Sequence, residues 1–248
     1  MLIKKVSEFP KLYNGDCLEV MQNIPDGSID MILCDLPYGD TKNKWDTVIP
    51  FEPLWKEYFR IIKDNGAIVL FAQGMFTAKL MMSNPKFWRY NLVWDKVLPS
   101  GFLNSNRMPL RSHEDICVFY KKPPVYNPQK FTGNKNHSKG VKKNNANNNY
   151  GDFDFVDNSD ILGDKKFPVS ILRFPKPHPS VCSHPTQKPV ELLEWLIKTY
   201  TNEGEIVLDN CMGSGSTGIA CKHTDRKFIG IELYKEYFDI AKERIKNE

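Results

Sequence analysis

The sequence predicts a doubly wound α/β fold, a mostly parallel sheet covered by helices on both faces. Three observations predict it. Short, near-continuous apolar runs recur along the chain and stop abruptly at acidic residues or glycine turns, as buried parallel strands do. Segments of helical length alternate with those runs. The chain has 248 residues, 41% of them hydrophobic, which is enough for one core of this class.

The elements follow in order. Lys11–Tyr13 reads as a short strand closed by Asn14-Gly15-Asp16, with a short helix to Gln22. Ile29–Cys34 is the first apolar strand; it ends at Asp35-Leu36-Pro37-Tyr38-Gly39, where proline and glycine force a loop. Pro53–Lys63 reads as a helix stopped by Asn65-Gly66, Ala67–Ala72 as a strand and Met75–Met82 as a helix. Phe87–Lys96 and Asp115–Tyr120 read as strands on either side of a polar loop, Pro99–Glu114, that carries Arg107, Arg111 and His113. Near the end, Pro189–Thr201 reads as a helix with proline in its first turn. Glu205–Leu208 is a strand ending at Asp209, Cys211–Ser216 a glycine loop and Thr217–His223 a helix. Lys227–Ile231 is a strand ending at Glu232, and Tyr234–Lys246 a last amphipathic helix.

Residues 121–180 break the alternation. From Lys121 to Tyr150 there are seven lysines and no acid, and eight asparagines fall between Asn127 and Asn149. The whole chain carries a formal +4, so a basic segment is set in a slightly acidic body. That distribution suits a local polyanion contact; a solvated loop has the same composition. The expected organisation is one domain in two halves, 1–120 and 181–248, with 121–180 as a partly mobile insert.

Six scattered cysteines argue against a disulfide framework or a zinc ribbon and for a reducing, cytoplasmic setting. His178, Cys182 and His184 lack a clear fourth ligand, so no metal is expected. The N-terminal stretch is too polar for a signal peptide, and no apolar run reaches membrane-spanning length.

Two loops carry the chemistry. Gly213-Ser214-Gly215-Ser216-Thr217-Gly218 follows a strand, opens a helix and fits a nucleoside-binding glycine fingerprint, with Glu232 at the end of the next strand to accept from ribose hydroxyls. The pattern serves a dinucleotide or S-adenosylmethionine equally well. No lysine follows Gly218, which excludes a phosphate-binding P-loop. In the other loop, Asp35, the carbonyl of Leu36 and the ring of Tyr38 lie within four residues, with Pro37 stiffening the turn. A carboxylate, a carbonyl and a ring are what a weakly nucleophilic exocyclic amine needs: acceptors for its N–H groups and a surface to stack on. Both loops follow the carboxyl ends of strands, where ligands bind in such sheets.

Asp35-Leu36-Pro37-Tyr38 resembles the D-P-P-Y motif of amino-group DNA methyltransferases, with leucine in place of the usual second-position proline. Asn14-Gly15-Asp16 resembles the family's adenine-contacting acidic motif. His184-Pro185-Thr186-Gln187-Lys188-Pro189 resembles its H-P-T-x-K-P segment. Asp209-Asn210-Cys211-Met212-Gly213-Ser214-Gly215 resembles its D-P-F-x-G-x-G loop, with Asn210 and Cys211 in place of proline and phenylalanine. The order, catalytic motif first and cofactor loop last, is that of the β class.

The resemblance implies a prokaryotic or phage-encoded enzyme that moves a methyl group from S-adenosylmethionine to N6 of adenine in double-stranded DNA. Cytosine N4 is the alternative target, because aspartate at the first motif position goes mostly, not always, with adenine. It further implies a catalytic group of Asp35, Leu36, Pro37 and Tyr38. Asp16, Thr186, Lys188, Asp209, Cys211, Gly213, Gly215 and Glu232 would hold the cofactor, with Thr186 or Lys188 on its carboxylate. Arg107, Arg111, Lys142 and Lys143 would contact DNA, and Trp45-Asp46 could flank the base. A cognate restriction endonuclease and a homodimer both accord with the resemblance. An NAD-dependent oxidoreductase would explain the glycine loop but leave the Asp35 and His184 segments without a role. A non-catalytic DNA-binding module is the other alternative.

Overall fold

The computed structural model of the chain describes residues 9–41, 43, 46–135, 163–176 and 187–248. These fall into two units, residues 128–169 and the remainder of the chain. In order, the larger unit begins with β1 (Lys11–Asn14), α1 (Cys17–Met21), β2 (Ile29–Asp35) and α2 (Phe51–Ile61). It continues with β3 (Ile62–Ala72), α3 (Met75–Ser83), β4 (Trp88–Ser100) and β5 (Arg111–Phe119). The smaller unit contains β6 (Phe131–Thr132) and β7 (Lys165–Lys166), paired antiparallel. The larger unit then resumes with β8 (Ile171–Arg173), α4 (Val190–Tyr200), β9 (Ile206–Asp209), α5 (Ser216–His223), β10 (Lys227–Glu232) and α6 (Lys235–Asn247).

Eight strands make one sheet in the order β1-β10-β9-β2-β3-β5-β4-β8. The first five in that order run parallel. β5 is antiparallel to both of its neighbours, and β8 lies parallel to β4. Strand side chains alternate between faces. Met31, Leu33, Val69, Phe71, Ile116 and Val118 pack beneath α4, α5 and α6. Ile32, Cys34, Ile68, Leu70, Cys117 and Phe119 pack against α1, α2 and α3. Because both faces are covered, β2 is buried along its length except at Asp35. Each such buried aliphatic contributes about 1.5–3 kcal/mol.

The site is positioned by where the order reverses. β2 pairs with β3 on one side and with β9 on the other. The chain runs from β2 towards β3 but from β9 towards β10, so the crossovers diverge and leave a crevice at the carboxyl ends of β2 and β9. Asp35 and Asp209 end those two strands.

Four sequence expectations are corrected. The second helix ends at Ile61, and Ile62 already turns extended with ψ 139°. Asn65-Gly66 therefore lies inside β3 and does not stop a helix. A Cβ at Gly66 would meet the Asp30 carbonyl oxygen at 2.8 Å, so the glycine permits close approach to β2. The polar loop shrinks to residues 101–110, and Arg111 and His113 belong to β5. Pro189 is the N-cap of α4 and precedes its first turn. Among the described residues, no helix is long and apolar enough to cross a membrane.

Candidate active site

A cavity of about 1250 Å³ opens at the switch point and brings the two chemical loops together. Asp35, Leu36, Pro37 and Tyr38 line it from β2; Asp209, Cys211 and Gly213 line it from β9 and its loop. Asp16, Glu232, Lys188 and Arg111 also face it. Its volume exceeds the roughly 300–1,000 Å³ of a pocket for one drug-sized molecule.

Asp35 is held from two sides. Its Oδ1 accepts from the Tyr38 hydroxyl at 2.7 Å, and its Oδ2 accepts from the Lys188 ammonium. The Tyr38 ring packs on Phe76, centroids 4.9 Å apart. Lys188 Nζ also lies 3.3 Å from Glu114 Oε2, an ion pair without hydrogen-bond geometry. Glu114 Oε1 in turn pairs with Lys96 Nζ at 2.5 Å. Burial pushes the Asp35 carboxyl above its ordinary range, against the pull of Lys188. Burial also works against charge on Lys188, but Asp35 and Glu114 outweigh it and hold the ammonium above its ordinary value. Glu114 is likewise opposed by burial, and the two lysines bring it below the ordinary carboxylate range.

The loop after Tyr38 is tied down by Asp46, whose oxygens accept from the backbone N–H of Gly39 at 2.8 Å and of Thr41 at 2.6 Å. Burial opposes the Asp46 charge, yet these donors lower its carboxyl below the ordinary value. Asp46 is thus a loop anchor, while Trp45 lies outside the described residues.

On the other side, Glu232 Oε2 accepts from the Gly213 N–H at 2.9 Å, and Oε1 from the Tyr234 N–H at 2.9 Å. Burial raises this carboxyl. Gly213 has φ +52°, and a Cβ there would meet nothing within 4 Å, so its backbone faces open cavity. Gly215 differs: it is not among the lining residues, and a Cβ would press on Ala241 and Ile245 at 3.0 Å. Its conformation, φ +82°, lets α5 start against α6. Asp209 accepts from Thr217 Oγ1 at 2.6 Å and from the Cys211 N–H at 3.1 Å. Burial pushes its carboxyl up to about 6. Asp16 accepts from the Leu18 N–H at 2.8 Å as the N-cap of α1, while still facing the cavity.

The two departures in the glycine loop are compensated. Asn210 is buried and accepts from the Tyr58 hydroxyl at 2.6 Å, which locks the loop onto α2. Cys211 joins Cys17 and Cys34 in a group of thiols that fills the space against β2, and all three are free cysteines.

Residues 29–243 match the sequence profile of the N6/N4 DNA methylase family. The chain belongs to this family. The methylase is 30% identical over 275 residues to the type II methyltransferase M.BglII of Bacillus subtilis, covering 98% of this chain and 72% of the relative. It is 28% identical over 261 residues to the type II methyltransferase M.HpaI of Haemophilus parainfluenzae, covering 96% and 74%. The crystal structure of an M1.HpyAVI–SAM complex superposes with a TM-score of 0.63 at 27% identity, covering 95% of this chain and 98% of that one.

In the methylase, Lys188, which with Thr186 is a candidate for the cofactor carboxylate, has its ammonium paired with Asp35 and Glu114. Arg111 lines the cavity and donates to Gln73 Oε1 at 2.6 Å, whereas Arg107 is exposed on the 101–110 loop and does not line it. Thr186, Lys142 and Lys143 lie outside the described residues, as do His178, Cys182 and His184. Sequence reasoning missed Glu114 and Lys96. A signal for both was present: Glu114 is in phase with Ile116 and Val118 on β5, and Lys96 with Leu92 and Trp94 on β4, so period-two reading places both charges on the core face.

Proposed function

We propose that the methylase transfers the methyl group of S-adenosylmethionine to N6 of an adenine flipped out of duplex DNA. The observation that carries this reading is a half-buried carboxylate, Asp35, facing the same cavity as the glycine loop, with a carbonyl and an aromatic ring beside it. The residues fit the cofactor: an open backbone cradle at Gly213, a carboxylate preset by two N–H donors at Glu232, and a second acid at Asp209. When bound, S-adenosylmethionine supplies an electrophilic methyl group on a sulfonium. Glu232 would accept from ribose hydroxyls, Asp209 from the cofactor's ammonium, and Asp16 would lie near its adenine.

Asp35 and the Leu36 carbonyl would accept the two N–H bonds of the target amine. An ionised carboxylate offers about four lone-pair positions; Tyr38 and Lys188 take two, and the rest are open to the base. Drawing on those N–H bonds withdraws the nitrogen lone pair from ring conjugation and makes it available for in-line attack. Adenine is favoured because aspartate at the first motif position goes mostly with adenine in the family. Arg107, Arg111 and residues 121–180, with Lys142 and Lys143, are assigned to DNA contact, the arginines to phosphate or guanine edges.

The test is methylation of unmethylated genomic DNA by the purified protein, followed by single-molecule sequencing. N6-methyladenine at a recurring site is expected. N4-methylcytosine would overturn the choice of base, and no methylation by a protein that binds DNA would favour a binding module.

A further inference from the structure

Four charged side chains, two acidic and two basic, form a continuous line at the reacting centre, Asp35, Lys188, Glu114 and Lys96, of which all but the half-buried Asp35 are buried. Lys96, Glu114 and Lys188 are 6%, 9% and 8% exposed. Burying any one of these charges without a partner costs several kcal/mol, so the four must be present as a balanced set. They come from four places in the chain: the end of β2, the residue before the N-cap of α4, the first half of β5 and the middle of β4. β5 can contribute because it runs antiparallel to β3, which brings its first residues to the edge where β2 ends. Lys96 is followed by Val97 at φ 64°, a backbone conformation rare for a branched side chain, within a register shift of β4. The ammonium of Lys188 also stands over the Phe71 ring at 5.0 Å, and those of Lys188 and Lys96 flank Trp94 at 5.9 and 5.6 Å.

The arrangement is asymmetric in a useful way. Paired with Asp35 alone, Lys188 would neutralise it and compete with an incoming amine for its lone pairs. Glu114 draws on the same ammonium, and Lys96 in turn offsets Glu114. We propose that Glu114, by sharing the Lys188 ammonium, is a positioning residue that keeps Lys188 from fully neutralising Asp35 and holds Asp35 as a fixed acceptor with lone pairs free for the amine, with Lys96 closing the charge balance. This deepens the reading of Asp35 as the amine acceptor and rests on it.

The other groups facing Asp35 act in known directions. The Tyr38 hydroxyl donates to it, the charges of Asp35 and of Asp209 on β9 oppose each other, and Arg111 and Lys176 line the same cavity. Removing each member of the quartet therefore shifts the ionisation of Asp35 with a sign fixed by charge. Lys188→Met should raise it, Lys96→Met should raise it less, and Glu114→Gln should lower it. A neighbouring opposite charge moves a carboxylate by about 1–3 pH units.

Two measurements test the proposal. The first is the single-turnover rate of methyl transfer from pH 5 to 9, on an oligonucleotide duplex bearing the site found by sequencing. Below its acid limb the parent rate should fall tenfold per pH unit, and the limb should move up in Lys188→Met and down in Glu114→Gln. Lys188→Arg should return it towards the parent value. The second needs no activity: infrared difference titration of the unliganded protein, with the Asp35 band identified by its loss in Asp35→Asn. Glu114→Gln keeps the shape and the contact with Lys96, so it reports even if Lys188→Met does not fold. Equal rate losses with an unmoved limb and an unmoved infrared titration would make the quartet merely structural and overturn the proposal. Infrared shifts of the expected signs, without any change in the rate profile, would support the quartet and instead reject Asp35 as the acceptor.

Discussion

Asp209→Asn should stabilise the unliganded methylase while weakening its hold on the cofactor. The carboxyl ends β9, is 4% exposed, and is pushed by burial from 3.8 to about 6, despite donors from Thr217 and the Cys211 N–H. An acid whose folded pKa lies above its unfolded one binds more protons folded than unfolded between the two values. Stability is therefore fully present below about pH 4 and is lost as pH rises through 6. A shift of about two units corresponds to ~3 kcal/mol of cost at pH 7. Asparagine can accept from the Cys211 N–H and donate to the Thr217 hydroxyl, so it removes the charge and keeps the contacts. Urea unfolding of both proteins at several pH values should give a difference of up to ~3 kcal/mol in favour of the variant at pH 7, shrinking towards zero near pH 4. Taking the difference between the two proteins cancels the other acids that titrate in the same range. Calorimetry with S-adenosylmethionine should show affinity reduced about tenfold or more, the value of a hydrogen bond to a charged group. A variant less stable than the parent at pH 7, or a gain that does not depend on pH, would refute the account of Asp209 as a charge buried at a cost for the sake of a ligand.

Other outcomes follow from the same geometry. Tyr38→Phe keeps the ring but loses the 2.7 Å donor to Asp35, so single-turnover methylation should slow about tenfold, with its acid limb displaced upward; Tyr38→Ala should be slower still, because stacking is lost too. Tyr58→Phe leaves the buried Asn210 oxygen without its partner and should cost about 1–3 kcal/mol in urea unfolding. Arg107→Ala should weaken duplex DNA binding at all sequences and lower its logarithmic salt slope by about one, as read from fluorescence anisotropy over a salt series; an unchanged slope would remove Arg107 from the interface.

The parts of the fold that were legible are those where one physical rule acts alone. β2, β9 and β10 are buried on both faces, so their sequences are plain apolar runs, and the acid that ends each is visible because it interrupts the run. The glycine loop was legible as a turn, but its two glycines serve different purposes that spacing cannot separate. Gly213 faces the cavity, while Gly215 faces Ala241 and Ile245 of α6, a contact that only the packing of two late helices creates. β5 was read too short because Arg111–Glu114 is polar where it leaves the core for the cleft, and a strand lining a site loses its apolar alternation. The pairing of Lys188 with Asp35 spans 153 residues and follows from α4 meeting β2 across the sheet edge. A charge partner that distant has no local signature.

The chain leaves the larger unit through a fixed point. The Asn127 N–H donates to the Thr199 carbonyl at 2.8 Å, and its side-chain amide donates to the carbonyls of Lys198 and Thr201 at 3.2 and 3.0 Å. These are end-of-helix acceptors on α4 that would otherwise need water or a cap. One asparagine thus serves as both helix cap and mooring, and the strand that receives the returning chain, β8, is at the far margin of the sheet from β1. Whatever lies between residues 127 and 170 can be lengthened, shortened or exchanged without tugging on β2 or β9. A lineage of such enzymes could then trade one inserted segment for another while inheriting the methyl-transfer chemistry unaltered.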